Sequence, residues 1–373
     1  MATVSRGVVL RAFGQPLTLE EAEVPQPEPG ALVAEVTYGG VCGTDVHLHH
    51  GNLPIPTPVI LGHEAVGRVW KLGPGVERDF TGAPLREGDT VAWASGIPCG
   101  HCYWCVIERE RTLCADRKVY GINQRFDVWP HLSGGWADYV YLQPGSAVFR
   151  LPDGVPPEHA IALGCAGPTA VHGVLERIGV GVGETVVVQG SGPVGMAAAM
   201  YAHLAGAARV ILVGGPASRL DLAREIGVGD VHVDIFATPD PEERIRTVLD
   251  ETPGRRGADA VLECAGVPAA VAEGFEMARR NGRYLVLGQY TDRGPTAINP
   301  HVVTRKQLTV LGSWAFAESH YGRYLRSLPQ LASRFALDRL LTTYPLADAN
   351  RALADVAGGQ VMKAVLRPAG AAR

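Results

Sequence analysis

The run Thr185-Val186-Val187-Val188-Gln189 leads directly into Gly190-Ser191-Gly192-Pro193-Val194-Gly195 and then Met196 to Ala202, and no other stretch restricts the possible folds as much. A short apolar strand, a G-x-G-x-x-G turn and a helix in that order make the first unit of a doubly wound parallel α/β sheet that binds a dinucleotide. Backbone N–H groups at the helix start would take the pyrophosphate, so Gly190, Gly192, Pro193, Val194 and Gly195 are cofactor-binding candidates. Two further strand-like runs, Ala258 to Cys264 and Gly282 to Gly288, end in small residues near where a cofactor would lie, which adds Ala265, Leu287 and Gly288. Cys264 reads as a packed strand-end residue.

The strand Arg209 to Val213 should end in an acidic residue that bonds the adenosine ribose of NAD. Gly214 stands there instead, followed by Gly215-Pro216-Ala217-Ser218-Arg219. Without that carboxylate a 2′-phosphate is not repelled, and Ser218 and Arg219 are donors for one, which tilts the expectation toward NADP over NAD. The competing reading leaves Gly214 merely permissive, with Arg219 on the ribose of either coenzyme.

Upstream the pattern differs. Residues 7 to 40 alternate apolar and polar in short runs broken by Pro25-Gln26-Pro27-Glu28-Pro29-Gly30, as short antiparallel strands of a β-rich, barrel-like domain do. Cys99, Cys102, Cys105 and Cys114 follow C-x2-C-x2-C-x8-C, a spacing that suits a closed all-thiolate zinc site serving folding. An iron–sulfur cluster or a disulfide pair competes, but the C-x2-C-x2-C-x3-C-P ferredoxin run is not present. Cys42, His63 and Cys165 could offer thiolate, imidazole and thiolate to a second zinc with one position open, the ligand count of a catalytic site. Taken singly, either cysteine could equally be a small core residue.

The chain has 373 residues, enough for two domains. Its net charge of -4 supplies no basic stripe, and no apolar run reaches the roughly 20 residues that span a bilayer, so nucleic-acid and membrane partners are not expected. Met1 to Arg6 lacks the apolar region of a signal peptide, which points to the cytoplasm, where cysteine clusters read as metal sites before disulfides. Beyond Asn299-Pro300 the strand–helix rhythm fades into a helical stretch around His320 to Phe335 and a final strand, Lys363 to Leu366, expected to rejoin the first domain. The expected domains are therefore 1–160 with 300–373, carrying a zinc lobe at 95–117, and 161–299. His49, His50, His101 and His172 read as surface or pocket-rim residues.

Together these pieces resemble the zinc-dependent alcohol dehydrogenases of the medium-chain dehydrogenase/reductase superfamily over nearly the whole chain. The matching motifs run in order: Gly40-Val41-Cys42-Gly43-Thr44-Asp45-Val46-His47, Gly62-His63-Glu64, the four-cysteine lobe, Gly134-Gly135-Trp136-Ala137-Asp138-Tyr139, Gly164-Cys165 followed by Thr169, and the glycine turn. The resemblance implies a GroES-like β-rich catalytic domain beside a Rossmann coenzyme domain. It implies two zincs per chain, a catalytic one on Cys42, His63 and Cys165 with Glu64 as an exchange ligand, and a structural one on the lobe. It further implies that Asp45 orients His63, that Thr44 bonds the substrate oxygen, that His47 relays its proton, and that Thr169 lies against the nicotinamide. Lys363 falls where the family often has a cation near the zinc and pyrophosphate.

The implied reaction is hydride transfer between NAD(P) and an alcohol or its aldehyde or ketone, on a secondary, cyclic or polyol substrate, in a homodimer or homotetramer. The chain departs from the family in the eight rather than seven residues between its last two lobe cysteines, in longer segments near Arg78 to Leu85 and Tyr120 to His131, and at Gly214. Two other readings compete: a non-catalytic nucleotide-binding protein with structural zinc, and a zinc-independent quinone or enone reductase of the same superfamily. The intact set Cys42, Thr44, His47, His63 and Cys165 speaks against both.

Overall fold

The structure, a computed structural model, describes residues 2–370. The chain divides into two compact units, one formed by the chain up to Cys165 with Ala317–Pro329 and the chain from Leu337 onward, the other by Ala166–Phe316 with Gln330–Ala336. Among the described residues no helix is long and apolar enough to cross a membrane.

The first unit is organised on the strand Leu32–Val41, ten residues whose alternate positions are buried on both faces of a seven-stranded sheet. It pairs antiparallel with Ala65–Leu72, with Tyr139–Leu142 and with Lys363–Arg367. The last pairing sets Ala364 opposite Val41 and so brings Lys363 beside the start of the helix Gly43–His49. Trp136, fully buried, ties the neighbouring segments together. Its indole N–H donates to the Gly40 carbonyl at 2.8 Å and its backbone N–H to that of Leu61 at 3.0 Å. Gly62 has φ +96, and a Cβ there would lie 2.3 Å from the Trp136 ring, so a glycine is required for His63 to follow in register.

The second unit is a six-stranded parallel sheet in the order Val231–Asp234, Arg209–Gly214, Thr185–Gln189, Ala258–Glu263, Ala278–Val286, Thr309–Gly312. Val186 to Val188 are wholly buried, as a strand covered on both faces must be. Helix Pro193–Leu204 carries the small residues Ala197 to Ala199, all fully buried, which let it pack closely on the sheet. A Cβ on Gly195 would sit 1.8 Å from the Gly190 carbonyl oxygen, so only glycine lets this helix leave the turn where it does.

The expected boundaries at 161 and 299 need correction. Residues 161–165 belong with the first unit, and 300–316 with the second, because Thr309–Gly312 continues the parallel sheet with Val310 paired to Tyr284. This strand is short and exposed, with burial too sparse to register as apolar alternation in sequence. Residues 330–336 also fall in the second unit, where the Arg334 guanidinium donates to the His203 carbonyl and Phe335 contacts the His203 ring.

Candidate active site

Strand Leu32–Val41 ends at Cys42, which serves as N-cap of the helix Gly43–His49. Its sulfur accepts from the Thr44 N–H at 3.3 Å, and its own N–H donates to Asp45 Oδ2 at 2.9 Å, a reciprocal capping box. The other oxygen of Asp45, which is 0% exposed, faces His63 Nδ1 at 3.2 Å. That contact leaves His63 Nε2 directed at Cys42 Sγ, 3.3 Å away. Cys165 Sγ lies 4.0 Å from Cys42 Sγ. The ligand atoms of Cys42, His63, Glu64 and Cys165 are all within 4.8 Å of one another, although residues 42 and 165 come from distant parts of the chain.

The donor set fits a zinc ion. With two sulfurs so close, Cys42 is lowered to about 6, chiefly by the hydrogen bond from Cys165, while the same contact pushes Cys165 well up. A divalent cation held by both would let them be thiolates at once. Glu64 Oε1 is buried without a hydrogen-bond partner, 3.6 Å from His63 Nε2, and so is aimed into the same space. Its Oε2 pairs with Lys363 Nζ, both side chains 2% exposed. Burial alone would raise Glu64, but the charges on Lys363 and His63 prevail and hold it at about 2. Gly40 and Gly164 make room for this pair: a Cβ on Gly164 would be 1.5 Å from Glu64 Oε2, and one on Gly40 2.7 Å from the same atom.

Thr44 is half-buried one residue into the helix, and His47 one turn on, its Nδ1 3.1 Å from the Asn52 amide. His49 is occupied by the Gln15 carbonyl at 2.9 Å, and His50 and His101 are exposed. His172 corrects the expectation of a rim position: it is 3% exposed, with Nδ1 2.9 Å from the Ala315 carbonyl oxygen, inside the second unit.

The four lobe sulfurs of Cys99, Cys102, Cys105 and Cys114 also lie within 4.8 Å of one another. The Cys99 N–H donates to Cys114 Sγ at 3.2 Å and the Cys102 N–H to Cys99 Sγ at 3.4 Å, which ties the loop backbone to the sulfur cluster. The eight-residue segment between the last two cysteines closes through Arg109, at φ +57, and a tight turn at Arg111–Leu113.

In the second unit the candidate coenzyme residues gather at the carboxyl ends of the parallel strands, the edge where such sheets bind nucleotides. Gly190 has φ +112, and a Cβ there would be 2.7 Å from the Ala265 nitrogen. Gly192, Pro193 and Val194 are partly open at the helix start. Gly214 is buried, and a Cβ would meet Ser191 Oγ at 2.6 Å, because that hydroxyl occupies the space and bonds Gly215 at 3.0 Å. An acidic side chain therefore has no room there. Ser191, invisible to motif reading as a free position of the glycine turn, is what excludes it. Arg219 stands 4.0 Å from a Cβ built on Gly192, and its buried Nε has no hydrogen-bond partner. Burial lowers Arg219, with no carboxylate to restore it, which fits a site for an anionic group. Ser218 and Ala265 are exposed, Leu287 is buried, and Gly288 and Thr169 are half-buried.

Comparison with known proteins agrees across both units. Residues 28–153 match the alcohol dehydrogenase GroES-like domain family, and residues 193–330 the zinc-binding dehydrogenase family. A 5-exo-hydroxycamphor dehydrogenase of Pseudomonas putida is 38% identical, over 93% of this chain and 95% of its own. A crystal structure of an alcohol dehydrogenase from Thermotoga maritima superposes with a TM-score of 0.92 at 36% identity, over 98% of this chain and all of that one. A zinc-binding dehydrogenase from Sinorhizobium meliloti 1021, bound to NADP, reaches 0.84 at 29% identity over 98% and 100% of the two chains.

Proposed function

This chain belongs to the zinc-dependent alcohol dehydrogenases of the medium-chain dehydrogenase/reductase superfamily, oxidoreductases acting on CH–OH donors, and we propose on that footing which residues perform the reaction and which alcohol it takes. Cys42, His63 and Cys165 hold the catalytic zinc, with Glu64 Oε1 able to enter its coordination, and the four lobe cysteines hold a second zinc. The observation that carries this is the partnerless Glu64 Oε1, buried among two sulfurs and an imidazole.

When bound, the zinc supplies Lewis acidity that lowers the pKa of an alcohol, and the nicotinamide accepts or returns the hydride. Asp45 Oδ1 keeps the proton of His63 on Nδ1, which leaves Nε2 as a lone-pair donor. Thr44 Oγ1 takes the proton of the alcohol as its own hydroxyl proton moves outward, and His47, one turn along the same helix and half-open, passes a proton to solvent. The glycine turn cradles the pyrophosphate, Thr169 and the Leu287–Gly288 edge hold the nicotinamide, and Ser218 with Arg219 bonds a 2′-phosphate.

The substrate is a bulky secondary alcohol on a ring and the coenzyme NADP. The hydroxycamphor-named relative supports the first, the partnerless Arg219 Nε the second. A panel of linear, cyclic and polyol alcohols assayed with NAD and NADP in parallel is expected to give the highest kcat/KM for a cyclic secondary alcohol with NADP. Arg219→Ala should erase a preference of about tenfold or more, the worth of one charge-assisted contact. A strong preference for NAD, or for linear primary alcohols, would overturn the corresponding half of this reading.

We propose that the chain assembles as a homodimer or homotetramer through the edge strand Thr309–Gly312. That strand ends the parallel sheet with one neighbour only among the described residues, and Val310 and Trp314 stand exposed beside it. Sedimentation should give a dimer or a tetramer for the wild type and a shift toward smaller species for Val310→Lys; an unchanged assembly would exclude this edge.

A further inference from the structure

The strand-end turns of the second unit carry a carboxylate to which the reaction assigns no role. Glu263 closes the strand Ala258–Glu263 and is 0% exposed. Among the described residues its hydrogen-bond partners are N–H groups rather than cations: Oε1 accepts from the Gly266 N–H at 2.7 Å, and Oε2 from the Gln289 amide at 3.5 Å. Its main-chain oxygen accepts from Leu287 and Gly288, at 2.9 and 2.8 Å. One residue thus binds the turn after its own strand to the turn after the next.

These turns have no side chains between them to set their spacing. A Cβ on Gly266 would be 2.7 Å from the Gly288 oxygen, one on Gly288 2.5 Å from the Gly266 nitrogen, and one on Gly190 2.7 Å from the Ala265 nitrogen. Three strand-end turns therefore meet backbone to backbone, and the Glu263 hydrogen bonds span two of them. Burying a carboxylate with no cation is costly, and Ala260, Val261 and Leu262 show that this strand accepts apolar residues freely. N–H bonds to a charged acceptor are stronger than bonds to a neutral one, so a carboxylate is the group that locks such turns most firmly.

We propose that Glu263 is a positioning residue for the coenzyme: it locks the Ala265–Gly266 turn to the Leu287–Gly288 edge, so that both meet the nicotinamide half at fixed places. The proposal rests on the assignment of that edge to the nicotinamide made above.

Coenzyme titration of the purified holoenzyme tests it. Glu263→Ala is expected to weaken coenzyme binding about tenfold or more, as loss of a buried charged acceptor does, while zinc content and the alcohol KM at saturating coenzyme stay unchanged. Glu263→Gln, which keeps an acceptor of the same length but not its charge, should recover part of that loss. Should Glu263→Ala fail to fold, Glu263→Asp draws the carboxylate back from the Gly266 N–H and is expected to weaken binding likewise. A lowered melting temperature with unchanged coenzyme affinity in these variants, or a Gln variant as weak as the Ala variant, overturns the proposal. Wild-type protein that bound neither NAD nor NADP would overturn instead the coenzyme reading beneath it, an outcome distinct from a defect confined to the variants.

Discussion

Replacement of Cys42 by serine is expected to lower kcat by about a thousandfold or more, because several kcal/mol of charge stabilisation at the alcohol oxygen would go with the zinc proposed for this site. The substitution separates two roles of one residue. Cys42 is the N-cap of the helix Gly43–His49, and serine is among the best N-caps, so the helix, Asp45 and the capping box should survive. A neutral hydroxyl cannot replace a thiolate as a zinc ligand, so the metal leaves while the local fold stays. Metal analysis should fall from about two zincs per chain to about one, the lobe retaining its own. Coenzyme titration should be unchanged, since the glycine turn belongs to the other unit. Turnover near the wild-type level in a variant holding one zinc would remove Cys42 from the mechanism.

Lys363→Met is expected to destabilise the protein by about 3–5 kcal/mol, the range for stranding a buried charge, which makes it the largest stability effect anticipated here. Glu64 and Lys363 are each 2% exposed at the side chain, and Lys363 offsets one of several anionic groups crowded at this point, with Cys42, Cys165 and Asp45 close by. Methionine matches the length of the lysine stem but leaves the Glu64 carboxylate uncompensated. The double variant Glu64→Gln/Lys363→Met should recover much of the loss, because no charge is then stranded. Chemical unfolding of the single and double variants against wild type measures both. A double variant no more stable than Lys363→Met would show that packing, rather than charge, sets the cost.

What could be read from sequence depended on distance along the chain. The four-cysteine lobe spans sixteen consecutive positions, from Cys99 to Cys114, and the strand, glycine turn and helix eighteen, from Thr185 to Ala202, so each motif carries its own geometry. Cys42 to His47 was legible for the same reason, as one capped helical turn. Gly214 was legible as an anomaly, but its cause was not: Ser191 meets it only across the gap between two neighbouring strands. The sixth parallel strand escaped notice because Thr309–Gly312 is too short and too exposed to show a period. His172 looked like a surface residue because its carbonyl partner, Ala315, lies 143 positions away.

Adjacent residues were enough to mark two cysteine-centred sets of candidate metal ligands, a dinucleotide turn, and a strand end with no acid. Donor type and short-range spacing are enough for that, because ligand chemistry and local backbone geometry are properties of a few adjacent residues. The tertiary structure alone decided which of these groups share a space. It placed Cys165 4.0 Å from Cys42 across 123 positions and paired Lys363 with Glu64 across 299. It also made glycine obligatory at 40, 62 and 164 by filling their surroundings with Trp136, Glu64 and Lys363. Such requirements come from atoms that meet only when the sheet closes, and no periodicity along the chain encodes them.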